Sequence, residues 1–367
     1  MGADQGQKGQ EKGQEKEEEE VVATDLQWMR KALSQARKGW GRTSPNPLVG
    51  AVIVKNDTLI ASGYHAAAGQ AHAEIAALRS SQNDVGGATI YVTLEPCSTE
   101  GRTPPCTDAL IAAGLSRIVI GCLDPNPEHA GRGVEILRSK GIAVEVGVEE
   151  KAAQELNEAF NCWIRYRRPF VLLKMAMTID GRIATAAGQS QWITGTTSRA
   201  RVQKLRQWAD AVLVGGETVR RDDPSLLVRT PQSWSHQPLR LIASRSGELG
   251  DSRQVLTDDR SETRIINCAS AATWQQTLAG LGEEGITALL VEGGGELAAS
   301  MLAADVIDKI AFFIAPTILG GKGSRPVVGG DDPPDLLAGR KLRDACMQRS
   351  GEDFLLTGYL SDVHRTC

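Results

Sequence analysis

Apolar positions in this chain follow two alternating rhythms from residue 25 onward. Leu26, Met29, Leu33 and Ala36 recur at helical spacing behind a Thr24/Asp25 cap signal, which predicts a first helix. Val49 to Val54 and Leu59 to Ser62 then flank the polar turn Lys55-Asn56-Asp57, the pattern of a β-hairpin. Helices are expected over 72–79, 107–113 and 134–140, and strands over 89–94, 118–121 and 142–146. Five strands with their helices make a three-layer α/β domain.

Between residues 147 and 169 the pattern is that of a polar helix, with Leu156, Phe160 and Trp163 about a turn apart, ending in Arg165-Tyr166-Arg167-Arg168 before Pro169. The basic run reads as a solvated helix end with no anion-binding role. A second α/β pattern follows, with strands expected at 170–175, 211–214, 239–243, 287–292, 310–314 and 354–359 and helices at 199–208 and 297–302. Residues 246–261 are polar and read as irregular, and no internal repeat is present. The expected organisation is a tail (1–24), a first domain (25–147), a linker helix (148–169), a second domain (170–361) and a short tail (362–367).

Composition narrows the class of function. Of the 367 residues, 41% are apolar, and no apolar stretch approaches the roughly 18 residues of a membrane span. Residues 1–20 hold seven acidic side chains and three lysines and no apolar run, so a disordered tail is expected there, and the rest of the chain carries balanced charge. A neutral body lacks the positive surface that phosphate backbones select, which argues against nucleic acid as partner. Seven cysteines, an odd number, and no signal-peptide core point to a reducing, cytoplasmic compartment. A small-molecule enzyme with no membrane partner, assembled as a homo-oligomer, is the expectation.

His72-Ala73-Glu74, Glu95-Pro96-Cys97 and Cys106 form the first chemical constellation. One histidine and two thiolates suit tetrahedral Zn2+, and three protein ligands leave a fourth position for water, the pattern of a catalytic site. Glu74, two residues after His72, is placed to shuttle protons without being a ligand. Taken singly, Cys97 and Cys106 are ordinary buried thiols and His72 a satisfied helix histidine; their coincidence with a placed carboxylate carries the zinc reading. His65 and His129 read as surface or loop histidines, since neither has ligand partners at a useful spacing.

The segments Thr43-Ser44-Pro45-Asn46-Pro47-Leu48-Val49-Gly50, Ala71-His72-Ala73-Glu74, Thr93-Leu94-Glu95-Pro96-Cys97-Ser98, Gly101-Arg102-Thr103-Pro104-Pro105-Cys106 and Asp124-Pro125-Asn126-Pro127 resemble the bifunctional riboflavin-biosynthesis deaminase/reductase family. The eight residues between Cys97 and Cys106 separate it from deaminases with a C-x-x-C pair. The resemblance implies a cytidine-deaminase-like first domain that hydrolytically deaminates 2,5-diamino-6-(5-phosphoribosylamino)pyrimidin-4(3H)-one, with Asn46 in contact with substrate. Thr99 and His129 depart from the family's usual histidine and apolar residue.

In the second half, Ala288 to Glu292 reads as a strand running into Gly293-Gly294-Gly295 and a helix, a turn that offers backbone N–H groups to an anion. The stretch from Gly215 to Arg229 mixes hydroxyl, carboxylate and guanidinium groups, and Lys174 interrupts an apolar strand. By themselves these are equally a packing turn, a solvated loop and an edge lysine. Lys174 to Arg182, Ser190 to Thr194, Thr218 to Arg229, Val291 to Gly294 and Ala315 to Gly321 are similar to the same family's reductase domain, with Met177-Thr178-Ile179 as a mild departure. That resemblance implies a dihydrofolate-reductase-like α/β fold and NADPH. The cofactor positions it implies are Ala176, Trp192, Thr218, Asp222, Gly294, Gly295, Glu296, Leu297, Ala298, Ala299 and Ser300. The substrate positions are Lys174, Ser190, Arg206, Leu226, Arg229 and Glu292.

The implied second reaction reduces the ribosyl side chain to ribityl by hydride delivery to C1′, with a phosphorylated pyrimidine as substrate. Two rivals are weighed against it. A tRNA adenosine deaminase should have a C-x-x-C pair and a basic surface, and this chain has neither. A regulatory nucleotide-binding protein would keep the second pocket without turnover.

Overall fold

The helix over residues 24–36 (α1) turns Trp28, Met29, Ala32, Leu33 and Ala36 onto one buried face, as its spacing requires. This computed structural model describes residues 24–100, 104–127, 129–268 and 270–363. Of the tail expected at 1–24, residues 1–23 lie outside them and Thr24 opens α1; residues 364–367 and Gly101-Arg102-Thr103 lie outside them as well. The chain divides into two units, one ending at Asn157 and the other beginning at Glu158.

In the first unit, strands β1 (Gly50–Lys55), β2 (Thr58–Tyr64), β3 (Thr89–Leu94), β4 (Arg117–Cys122) and β5 (Ala143–Val146) form one sheet in the order β2-β1-β3-β4-β5. The hairpin β1/β2 and the pair β1/β3 are antiparallel, while β3, β4 and β5 run parallel. One face is covered by α2 (Ala73–Ser80), α3 (Cys106–Ala112) and α4 (Arg132–Ser139), which bury Ala73, Ala77, Leu110, Val134 and Leu137 against Ile53, Ile90, Val92, Ile118 and Ile120. The other face takes α1 and α5 (Glu150–Leu156). Each fully buried Leu or Ile contributes about 1.5–3 kcal/mol over its exposed state.

Two glycines set the helix positions. A β-carbon on Gly63 would lie 2.5 Å from the Ala73 carbonyl, and one on Gly50 would collide with the backbone of Ala32 and Ala36. Bare backbone therefore lets α2 lie close on β2 and α1 close on β1. The first contact fixes the start of α2, where His72 and Glu74 sit.

The segment expected to be one polar helix is broken into α5 and α6 (Glu158–Tyr166) at Asn157. The Asn157 amide is buried and satisfies the backbone of Leu48 twice, accepting from its N–H at 2.7 Å and donating to its carbonyl at 2.9 Å. A side chain committed to that pairing sits at a break rather than mid-helix.

The second unit is built on β6 (Phe170–Thr178), β8 (Ala211–Gly215), β9 (Leu239–Ala243), β10 (Thr263–Ile266), β11 (Ala288–Val291), β12 (Lys309–Ala315), β14 (Arg343–Ser350) and β15 (Asp353–Tyr359). Their order is β10-β9-β8-β11-β6-β12-β15-β14, parallel through β12 and antiparallel at the β15 and β14 end. Two short strands, β7 (Arg182–Ala184) and β13 (Arg325–Pro326), pair separately. Helix α7 (Thr196–Trp208) and α6 pack on one face of the large sheet, and α10 (Ala271–Glu283) and α11 (Gly295–Ala303) on the other. α8 (Gly216–Asp222) and α9 (Gln254–Thr257) are shorter helices of this unit. The carboxyl ends of β6, β8 and β11 open into the crevice where open α/β sheets bind ligands.

Several expectations need correction. The basic run is not a solvated end: the Arg168 guanidinium donates to both oxygens of buried Asp308, at 2.7 and 2.8 Å. Asp308 also accepts from the Val171 N–H and the Ser361 hydroxyl, so this ion pair locks the start of β6. The segment from 215 to 222 is a strand end and helix rather than a loop, and 246–261 contains α9. His65 does lie in a loop, just after β2, but at 3% exposed it is buried and not on the surface.

Candidate active sites

Zinc chemistry needs three donors converging from distant parts of the chain, and the first sheet supplies them at one end. His72 is the N-cap residue of α2, Cys97 follows β3 and Cys106 opens α3. The His72 Nδ1 lies 3.2 Å from the Cys106 Sγ and 3.5 Å from the Cys97 Sγ, and all three donor atoms fall within 4.8 Å of one another. Tetrahedral zinc with ordinary bond lengths separates such ligand atoms by about 3.6 Å, so the donor set fits the ion in spacing and in chemistry.

The electrostatics agree. The neighbouring Cys106 thiol, and then the His72 contact, hold the Cys97 thiol well below its usual range, while Cys106 is pushed up. His72 is raised in turn, first by its hydrogen bond to Cys97. Glu74 is 3% exposed, and burial pushes its carboxyl up to about 7, which suits a group that must both accept and release a proton. Its carboxylate reaches the Cys106 thiol, so it borders the donor cluster from the first turn of α2.

Asn46 meets the same end of the sheet. Its Nδ2 lies 3.2 Å from the His65 Nε2, while the His65 Nδ1 faces the Ala71 carbonyl at 3.1 Å and the His65 ring stands edge-on to His72. Burial lowers the His65 pKa, keeping the ring neutral. A neutral ring that donates to Ala71 must accept from Asn46, which leaves the Asn46 carbonyl oxygen as an acceptor for a ligand. Glu95 was passed over in the sequence beyond its place before Pro96-Cys97. Its carboxylate accepts from the N–H groups of Asp124, Gly131, Gly133 and Val134 at 2.9–3.4 Å, fastening the 124–134 loop and the start of α4 to the Cys97 turn. His129 stands in that loop with its Nδ1 buried and without a partner among the described residues.

The second site is a cavity of about 590 Å³ at the carboxyl ends of β6, β8 and β11. Lys174, Ala176, Ser190, Trp192, Arg206, Thr218, Asp222, Arg229, Glu292, Gly294, Gly295, Glu296 and Leu297 all line it. Lys174 is no edge lysine: β6 is interior to the sheet, and the Lys174 Nζ lies 3.5 Å from the Glu292 Oε2. Burial lowers its pKa. Ser190 donates to Asp222 at 3.4 Å. Gly294 caps α11 with no side-chain acceptor, so the N–H groups of the first turn are left for a ligand. Arg221, within the guanidinium-bearing stretch noted in the sequence, and Arg199, given no site role there, also line the cavity, with Arg199 stacked over the Trp192 ring at 4.8 Å.

Four expected positions do not line it. Leu226 is a core side chain at positive φ, and Ala298 is fully buried on the face of α11 that packs into the core. Ser300 accepts from the Trp274 indole at 3.0 Å, and Ala299 packs beneath Gly330. Helical geometry explains the last three: a ligand at the N-terminus of α11 meets only its first turn, and the next residues turn toward the sheet, Gly330 or α10.

The two halves match two family models. Residues 22–122 match the cytidine and deoxycytidylate deaminase zinc-binding region, and residues 169–356 match the RibD C-terminal domain. The chain is 42% identical over 361 residues to the riboflavin biosynthesis protein RibD of Synechocystis sp., covering 92% of this chain and 97% of the relative. It is 38% identical over 325 residues to the protein of that name from Escherichia coli, covering 81% and 89%. Among solved structures it resembles a diaminohydroxyphosphoribosylaminopyrimidine deaminase/5-amino-6-(5-phosphoribosylamino)uracil reductase from Thermotoga maritima, with 36% identity, a TM-score of 0.84, and 93% of this chain and all of that chain covered. Acinetobacter baumannii RibD aligns with a TM-score of 0.81 at 35% identity, with the same coverage.

Proposed function

Since the chain belongs to the RibD family of bifunctional deaminase/reductases of riboflavin biosynthesis, which use zinc and NADPH, we propose that its two sites act in turn on one phosphorylated pyrimidine. The observation that carries this reading is the coexistence of a His72/Cys97/Cys106 cluster bordered by buried Glu74 with a separate cavity bearing Lys174, Arg206, Arg229 and Glu292. The substrate is 2,5-diamino-6-(5-phosphoribosylamino)pyrimidin-4(3H)-one.

For the first step His72, Cys97 and Cys106 would hold zinc, which when bound would supply the Lewis acidity that makes water a nucleophile near neutral pH. Glu74 accepts a proton from the attacking water and delivers it to the leaving amine at C2, and ammonia departs. The Asn46 carbonyl oxygen, fixed by His65, accepts a hydrogen bond from the substrate.

For the second step the cavity would hold NADPH, which when bound would supply the hydride for reduction at C1′ of the ribosyl group, with one proton taken up. Lys174, tied to Glu292, donates to the sugar, and the Arg229 guanidinium takes the phosphate. Trp192, Thr218 and the first turn of α11 would hold the cofactor. The protein works as a cytoplasmic homo-oligomer that binds no nucleic acid. The test is incubation of the diaminopyrimidine with and without NADPH, with products identified by mass. Ammonia and the ribosylamino uracil are expected without NADPH, and the ribitylamino uracil only with it.

A further inference from the structure

Five arginines line the reductase cavity, and three have protein partners. Arg206 binds Glu292, Arg221 binds Glu217, and Arg199 donates to the Thr194 carbonyl. The guanidinium groups of Arg229 and Arg325 meet no acceptor among the described residues; Arg229 is anchored there by its backbone N–H on Gln203. A guanidinium in a concave wall without a carboxylate is free to take an anion; Arg325 is half-buried there, whereas Arg229 is exposed. The two ligands of this cavity bring a sugar phosphate and a dinucleotide pyrophosphate.

The two arginines sit on different elements. Arg229 neighbours α7 through Gln203. Arg325 belongs to β13, paired with Ala184 of β7, and the residue after it touches the cofactor turn: a β-carbon on Gly295 would lie 2.6 Å from the Pro326 carbonyl oxygen. Arg325 therefore flanks the first turn of α11, whose N–H groups no side chain caps. The Glu296 carboxylate of that turn lies against Gly329 and forms no ion pair with Arg325.

We propose that Arg325 is the cation that, with the first turn of α11, binds the pyrophosphate of NADPH, while Arg229 serves the substrate phosphate. The proposal rests on the cavity being the cofactor site. It makes Arg325 a binding residue common to both phosphorylated and non-phosphorylated dinucleotides, since the pyrophosphate is shared by NADPH and NADH and the 2′-phosphate is not.

Calorimetric titration of the full chain with NADPH and with NADH tests it, using Arg325→Gln, Arg325→Lys and Trp192→Ala. Arg325→Gln should weaken both dinucleotides by the same factor, about ten- to a hundredfold, with Arg325→Lys intermediate. Ammonia release should stay at the wild-type rate. Unchanged NADPH affinity overturns the proposal, as does a loss confined to NADPH, which would place Arg325 on the 2′-phosphate. A loss confined to binding of the deaminated substrate also overturns it. If Trp192→Ala weakens NADPH and Arg325→Gln does not, the cavity stands as the cofactor site and Arg325 alone is wrong; if neither variant matters, the cofactor site itself is elsewhere.

Discussion

Arg206 on α7 grips both oxygens of Glu292, which follows β11: its Nε donates to Oε1 at 2.5 Å and its Nη2 to Oε2 at 3.2 Å. Both side chains are at least nine-tenths or nearly so buried, and Lys174 approaches Glu292 as well. Burial alone would raise the Glu292 pKa, but Arg206 and then Lys174 hold it down to about 2.

That depressed pKa has a signed consequence. A carboxylate ionised more easily in the folded state than at the model value of 4.5 stabilises the fold above that pH, and the contribution is lost as pH falls toward about 2. Glu292→Gln should be destabilised at pH 7 by about 3–5 kcal/mol, because Arg206 is left without its counter-charge. The gap from wild type should narrow between pH 4.5 and 2 in denaturant unfolding followed on the reductase unit. A gap that stays constant across that range would show that Glu292 does not carry the linkage.

Cys97→Ser or Cys106→Ser should lose zinc and deamination together, since a neutral hydroxyl is a far poorer ligand than thiolate. Metal analysis reads this directly. Full zinc occupancy in either variant would remove that cysteine from the donor set.

Glu74→Gln should keep its zinc and lose deamination by at least about a hundredfold, the scale of a general acid/base. The side chain is isosteric and buried, so the metal content checks that the cluster is intact. Near-normal ammonia release would move the proton shuttle to another group.

Gly50→Ala should destabilise the first unit severely, because the new methyl collides with α1 backbone at Ala32 and Ala36, which cannot swing aside as a side chain could. Thermal melting is the measure. A Tm within a degree or two of wild type would mean that α1 has room to move off β1.

What the sequence made legible was local and chemical. The hairpin at Lys55-Asn56-Asp57, the buried strands of Val and Ile, and the H-A-E and E-P-C motifs each announce themselves within a few residues. What it hid depends on partners far along the chain. Arg168 reads as solvent-facing until Asp308, 140 residues later, meets it. Asn157 reads as one more polar helix position until Leu48 claims its amide. The exposed edge strand β14 has no apolar alternation to betray it, because it is exposed along nearly its whole length. In the reductase cavity, the resemblance implied a contiguous run from Gly294 to Ser300, of which Gly294, Gly295, Glu296 and Leu297 line the cavity.

The claim that two separate sites share this chain is tested most directly with Glu74→Gln protein supplied with the already deaminated ribosylamino uracil and NADPH, and its product identified by mass. The account predicts the ribitylamino product at the wild-type rate from a chain that releases almost no ammonia from the diaminopyrimidine. Loss of this reduction in folded, zinc-loaded Glu74→Gln protein would contradict it.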